Sequence, residues 1–180
     1  RMGSSRFPGK VMKLLGDKPM IGQIINQISF SSKIDDIILA TTEESTDDIL
    51  AEYVTKLGLK VFRGSENNVL SRYYNAALFT DANVIIRNTG DNPLVDPTII
   101  DKLIQTLITE NCDFVSNNLK RSYPRGYDAE VLTLQSLKTA VLKAKQLEYL
   151  EHVTLYHKTH TKEFNCKNIM APKNQRRPNL

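Results

Sequence analysis

Short runs of aliphatic and β-branched residues recur along this chain, and each is followed by apolar residues at helical spacing. The runs are Ile37-Ile38-Leu39-Ala40-Thr41, Lys60-Val61-Phe62-Arg63, Asn83-Val84-Ile85-Ile86-Arg87 and Asp113-Phe114-Val115-Ser116-Asn117. The patterns between them predict helices over residues 46–57, 69–80 and 97–110, with another over 19–28 near the start. Ser45 or Thr46 is placed to cap the helix at 46–57, Asp47 and Asp48 fall in its first turn, and Gly58 ends it. Asp96-Pro97 opens the helix at 97–110, with proline at a favoured first position. Strand and helix alternating at intervals of roughly 25 residues predict βαβ units and a mostly parallel sheet flanked by helices, a Rossmann-like α/β fold. Ligands of such sheets sit at the carboxyl ends of the strands. The positions to inspect are therefore Thr41-Thr42, Arg63-Gly64-Ser65, Thr89-Gly90-Asp91 and Asn117-Asn118. After Arg121 the alternation loosens. Residues 122–131 read as an irregular loop and strand, and 134–145 and 149–157 as helices, a lid or dimer arm laid over the sheet.

The composition of the 180 residues, 41% hydrophobic and 24% charged, suits one folded domain with a core of its own. No apolar run approaches the roughly 18 residues of a membrane helix, and no apolar h-region follows Arg1-Met2-Gly3. No membrane partner is expected. Cys112 and Cys166 do not make a disulfide framework, so a cytoplasmic location is expected. The net charge of +4 admits anionic ligands, but no dense basic cluster points to nucleic acid. No strand precedes the first glycine-containing loop, and residues 171–180 are polar and basic without hydrophobic period. Both ends read as cut from a longer chain.

The opening loop, Arg1-Met2-Gly3-Ser4-Ser5-Arg6-Phe7-Pro8-Gly9-Lys10, holds two glycines, two serines and three cations in ten residues. Glycine lets a backbone approach a phosphate closely and turn N–H groups toward it. Arg and Lys offset the charge of a triphosphate, which is about four negative charges at neutral pH. A solvated basic turn is the alternative. It is not a P-loop, because five residues separate Gly3 from Gly9 and Val11 follows Lys10. The second signal is Thr89-Gly90-Asp91-Asn92-Pro93, directly after an apolar strand. A carboxylate held there suits Mg²⁺, which takes one or two protein carboxylates and completes its shell with phosphates and water. An ordinary Asp-containing turn is the alternative.

Together these segments resemble the sugar cytidylyltransferases, the CMP-sugar synthetases that activate 3-deoxy-manno-octulosonate and N-acylneuraminate. The likeness is strongest to the branch of the spore-coat polysaccharide biosynthesis protein SpsF. It is carried by the opening loop, Phe62-Arg63-Gly64-Ser65-Glu66, Val69-Leu70-Ser71-Arg72-Tyr73, Thr89 to Leu94, Pro124 to Glu130 and Glu151-His152-Val153-Thr154, in order over nearly the whole chain. The resemblance implies a nucleotide-diphospho-sugar transferase-like fold. It implies transfer of CMP from CTP to a sugar, with an acidic sugar expected, for surface polysaccharide biosynthesis. Arg1, Gly3, Ser4, Arg6 and Lys10 would wrap the triphosphate, with Lys10 at the α-phosphate. Arg63, Gly64 and Ser65 would cradle base and ribose, with Arg72 a weaker candidate for that region. Asp91 would hold Mg²⁺ and, with Lys10, would be catalytic. Thr89, Asn92, Arg125, Asp128 and Glu130 would line the sugar pocket. Homodimers are common among such enzymes, and one is expected here. Two departures stand out: the family's first strand, and its second metal carboxylate in a Val-Asp-Thr-like segment, are both missing from residues 1–180. The expectation is a single nucleotidyltransferase domain over 1–180 that lacks its first strand and its C-terminal end.

His152, His157 and His160 lie close in sequence, but no cysteine or carboxylate completes a zinc spacing, so surface or packing roles are expected. Tyr73, Tyr74 and Phe79 at helical spacing read as core. Two alternatives stay open: a non-catalytic nucleotide-sugar-binding domain, and a nucleotidyltransferase that uses another triphosphate.

Overall fold

The computed structural model describes residues 1–3 and 7–179. A 3₁₀ turn, Lys10–Met12, leads into a short hairpin of β1 (Leu14–Leu15) and β2 (Lys18–Pro19), which turns at Gly16 with φ +73°. Then follow α1 (Met20–Ile28), β3 (Ile38–Thr42), α2 (Asp48–Lys56), β4 (Lys60–Gly64), α3 (Val69–Phe79), β5 (Val84–Arg87), α4 (Pro97–Thr109) and β6 (Phe114–Ser116). The later part gives β7 (Glu130–Thr133), α5 (Leu134–Lys143), α6 (Leu147–Glu151), α7 (Leu155–Thr159) and β8 (Cys166–Asn168).

The helix starts follow from local chemistry. The Asn68 side chain accepts from the Ser71 N–H at α3, and that of Asp96 from the Thr98 N–H at α4, where Pro97 occupies the first turn. Gly58, at φ +80°, ends α2 in the left-handed conformation that glycine adopts without strain. The start of α2 differs from the expectation. Ser45–Asp47 form a 3₁₀ turn, neither Ser45 nor Thr46 caps, and the buried Asp47 side chain turns toward β3.

Two strands form one parallel pair, β3 with β4, in register from Ile38↔Lys60 to Thr42↔Gly64. Four strands form a second sheet in the order β5-β7-β6-β8. There β5 and β6 both run antiparallel to β7, and β8 runs parallel to β6. Thus β5, β6 and β8 point one way and β7 alone runs against them. Neighbouring residues of β6 and β7 face opposite sides, as the pleat requires. Val115 and Val131 pack with Ile100 and Leu103 of α4 on one side. Phe114 and Leu132 pack with Leu70, Leu137 and Val153 on the other. The segment expected as a lid or arm is thus built into the body. The strand expected within 122–131 becomes β7, seated between β5 and β6, and Val153, Tyr156 and Phe164 are buried. The helix expected over 149–157 is broken at His152 into α6 and α7. Among the described residues, no helix is long and apolar enough to cross a membrane.

Between β3 and β5 lies a cavity of about 840 Å³, lined by Leu39, Ala40, Val54, Ala76, Ile85 and Ile86 among others. Among the described residues β3 pairs only with β4, and β5 only with β7, so one backbone edge of each strand is unpaired. The polar residues Arg1, Gly3, Lys10, Thr89, Gly90 and Asp91 line this same cavity. They gather where the carboxyl ends of the strands lie.

Candidate active site

The opening loop is anchored by a residue that the sequence pattern placed elsewhere. The Met2 N–H donates to Asp47 Oδ1 at 2.6 Å. Asp47 Oδ2 accepts from Thr41 Oγ1 at 2.6 Å, from the Thr42 N–H at 3.0 Å and from Thr42 Oγ1 at 2.6 Å. Burial alone would raise this carboxyl's pKa, but the hydrogen bonds from Thr41, Thr42 and Met2 outweigh it and hold the group at about 2. Asp47 thereby ties the opening loop to the carboxyl end of β3.

The loop then closes on itself. The Gly9 N–H donates to the Met2 carbonyl at 2.9 Å, and Gly9 sits at φ +70°, where a side chain would be strained. The turn that follows packs against the second motif. A Cβ on Gly90 would stand 3.3 Å from Val11 Cγ1, so glycine permits this approach. Lys10 Nζ consequently reaches Asp91 Oδ2 at 2.5 Å. Burial works against the charge on Asp91, yet hydrogen bonds from Lys10 and Thr89 bring its pKa below the ordinary value. The two residues assigned to catalysis, 81 positions apart, are in contact. Arg1 Nη1 pairs with Glu66 Oε1 at 3.0 Å and leans over the loop between β4 and α3. A Cβ on Gly3 would stand 3.3 Å from the same Glu66 oxygen. Ser4 and Arg6 lie outside the described residues.

The base-and-ribose candidates are engaged within the protein. Arg63 donates from Nε to the Thr42 carbonyl at 2.8 Å, from Nη1 to Asp48 at 2.6 Å and from Nη2 to the Glu44 carbonyl at 2.8 Å. Its guanidinium is held by the β3–α2 connection. Gly64 ends β4 where a Cβ would meet Phe62 Cε1 at 3.0 Å and Arg72 Cγ at 3.4 Å. Ser65 Oγ accepts from the Asn68 N–H at 3.0 Å.

Among the sugar-side candidates, Asn92 is buried. Its Nδ2 donates to Asn88 Oδ1 at 3.1 Å and to the Asp128 carbonyl at 3.0 Å, while its Oδ1 has no partner. Thr89 accepts from the Asn92 N–H and hydrogen-bonds Asp91. Asp128 takes a two-pronged pair from Arg121 at 2.8 and 2.9 Å. Glu130, 2% exposed, is surrounded by Arg87 Nη1 at 2.8 Å, Lys158 Nζ at 2.5 Å, Thr154 Oγ1 at 2.8 Å and Asn118 Nδ2 at 3.2 Å. Burial opposes its charge, and Arg87 and Lys158 overcome that and lower its pKa. Arg125 is exposed on the loop before Asp128.

Asp91 is a single carboxylate beside a cation. Among the described residues no group of three or more His, Cys, Asp or Glu could hold a metal ion. That donor set fits a magnesium ion that shares one protein carboxylate and takes its other ligands from phosphates and water. It does not fit a closed, all-protein metal site. The histidines make no such site. His157 is fully buried between Phe114 and Phe164, and burial brings its pKa down to about 4.

The sequence profile of the cytidylyltransferases matches residues 1–178. The chain belongs to this cytidylyltransferase family. It is 35% identical over 183 residues to the spore coat polysaccharide biosynthesis protein SpsF of Bacillus subtilis, with 99% of this chain and 75% of that protein covered. An uncharacterised protein of Methanocaldococcus jannaschii is 42% identical over 156 residues, covering 87% of this chain. The chain spans only 63% of that relative's length. The structure of a cytidylyltransferase from Leptospira borgpetersenii superimposes with a TM-score of 0.90 at 32% identity, over 94% of this chain and 72% of the other. The Rossmann-like α/β architecture expected from the alternating strands is the architecture of this cytidylyltransferase family.

Proposed function

We propose that this chain carries the catalytic site of an enzyme that transfers CMP from CTP to a sugar hydroxyl, releasing pyrophosphate and a CMP-sugar for surface polysaccharide biosynthesis. The observation that carries the proposal is the contact of Lys10 with Asp91, beneath a loop that Asp47, Gly9 and Gly90 hold in place. In the reaction the hydroxyl oxygen bonds to the α-phosphorus, the bond to the bridging oxygen breaks, and pyrophosphate leaves with the electron pair. The hydroxyl proton passes to solvent. Lys10 is placed to move from Asp91 to the α-phosphate and to balance charge that develops there. Arg1 and the glycine-rich backbone bind the remaining phosphates. Mg²⁺ held by Asp91 would supply further charge stabilisation on the phosphate oxygens. Ser4 and Arg6 complete the triphosphate contacts in this reading.

The open acceptor of Asn92 is suited to a sugar hydroxyl, with Thr89 beside it, and the exposed Arg125 to an acidic group on that sugar. Asp128 and Glu130 act here by holding the surrounding loops in place. Gly64 and Ser65 flank the base, with Arg63 fixing the loop beneath. One backbone edge of β3 and one of β5 are unpaired among the described residues, and a further strand parallel to β3 would pair both. The exposed Leu142 and Leu147 support a homodimer contact through the later segment. The unpaired thiols Cys112 and Cys166 accord with a cytoplasmic setting.

Calorimetry with CTP, UTP, ATP and GTP in the presence of Mg²⁺ tests the nucleotide without knowledge of the sugar. Selective CTP binding is expected. Preference for another triphosphate would overturn the choice of CTP, and no binding to any of the four would overturn the enzyme.

A further inference from the structure

Arg72 is a buried cation of the site whose hydrogen-bonding capacity the fold does not exhaust. It lies in the first turns of α3 and is 5% exposed. Its Nη1 donates to the Ser65 carbonyl, but its Nε is buried and has no partner. No carboxylate pairs with it among the described residues, in contrast to Arg87, whose guanidinium is met by Glu130. Asp47 and Glu66 act on its charge from a distance, but a buried guanidinium N–H with no acceptor is costly, and folded chains retain one where a ligand supplies the missing oxygen. Burial lowers the pKa of this guanidinium, and the charges of Tyr73, Asp47 and Glu66 offset that only in part.

The surroundings give the ligand's character. Arg72 lines the same cavity as Arg1, Gly3, Lys10 and Asp91, the residues assigned to phosphates and metal. Gly64 makes room for its stem, because a Cβ there would stand 3.4 Å from Arg72 Cγ. The Asn68 cap fixes the start of α3, the helix that carries Arg72. Arginine, with several N–H donors in a fixed plane, suits phosphate oxygens better than a point charge does.

We propose that Arg72 binds the polyphosphate of the nucleotide from α3, with a phosphate oxygen taking its unpartnered Nε–H. The proposal rests on the nucleotide site described above and assigns Arg72 to the phosphates rather than to base and ribose. A sugar carboxylate offers similar oxygens, so the test separates the two.

The experiment uses the full-length protein and the variants Arg72→Met and Arg72→Lys. Melting temperature is measured without ligand, and binding of pyrophosphate, CTP, cytidine and a free sugar acid is measured by calorimetry. Without ligand, a cooperative melt of Arg72→Met shows that the variant is folded. Its affinity for pyrophosphate and for CTP should fall at least about tenfold, as expected for a lost hydrogen bond to a charged group. Cytidine and the sugar acid should bind as before. Unchanged pyrophosphate affinity in Arg72→Met overturns the proposal, as does a loss confined to the sugar acid. If Arg72→Met does not fold, Arg72→Lys decides, since it keeps the charge and removes the Nε edge. Weaker pyrophosphate binding with cytidine binding intact supports the proposal, and unchanged binding overturns it. A wild-type protein that binds pyrophosphate through Arg72 but shows no preference for CTP would sink the cytidylyltransferase assignment and leave the role of Arg72 standing.

Discussion

Lys10 and Asp91 form an ion pair whose side chains remain 24% and 45% exposed, so solvent screens it and it adds little to stability. Its worth lies in placement: a cation and a carboxylate stand together where phosphate and metal would each claim one of them. Asp91→Asn should therefore change unfolding free energy by no more than about 1 kcal/mol, while removing most turnover. A urea titration beside a pyrophosphate-release assay reads both. Asp47 behaves differently, because it is buried and its hydrogen bonds favour the charged form. Its folded pKa, about 2, lies below the ordinary value of 3.8, so its stabilising contribution is complete above that value. The contribution is lost as pH falls through the folded value. Asp47→Asn should remove the part of acid destabilisation that develops between about pH 4 and pH 2. Comparing wild-type and variant melting temperatures across that range checks the sign.

At the scale of elements, β7 sets the later half of the fold. It runs against β5 and β6, and Glu130 at its start draws in Arg87 from β5, Lys158 from α7 and Thr154. Glu130→Gln would leave two cations without their buried partner. Loss of such a partner costs about 3–5 kcal/mol, and chemical denaturation should show a far larger loss than in Asp91→Asn. The four alternating strands were legible because β-branched runs and capped helices repeat along residues 37–117. β7 was harder to read, because it joins its sheet out of sequence order and follows an irregular loop whose pairing only the assembled sheet decides. Asp47 was misplaced for a related reason. An acid just before a helix resembles a first-turn charge, and only the nearness of Thr41 and Met2 reveals what it binds. The Lys10–Asp91 contact was foreseen only as a shared location. Its direct pairing depends on how closely Gly90 admits Val11.

For the whole molecule, the cavity between β3 and β5 is set apart by its lining. Apolar side chains line it and two strand edges face it, a combination that burial of one more strand would stabilise through both area and backbone hydrogen bonds. A polypeptide of residues 1–180 should bind a hydrophobic dye there. Extending it at Arg1 by an apolar strand the length of the five-residue β3 should raise its melting temperature and abolish dye fluorescence. Dye binding unchanged by the extension would show that the cavity does not take a strand. Arg1, Lys10 and Asp91 line this cavity too, so a strand bound there would also bear on the opening loop.

The most direct test of the account is the magnesium dependence of CTP affinity, measured by calorimetry in the full-length protein and in Asp91→Asn. Mg²⁺ should tighten CTP binding in the wild type, and this gain should disappear in the variant. An equal gain in both proteins would contradict the placement of metal and triphosphate at Asp91.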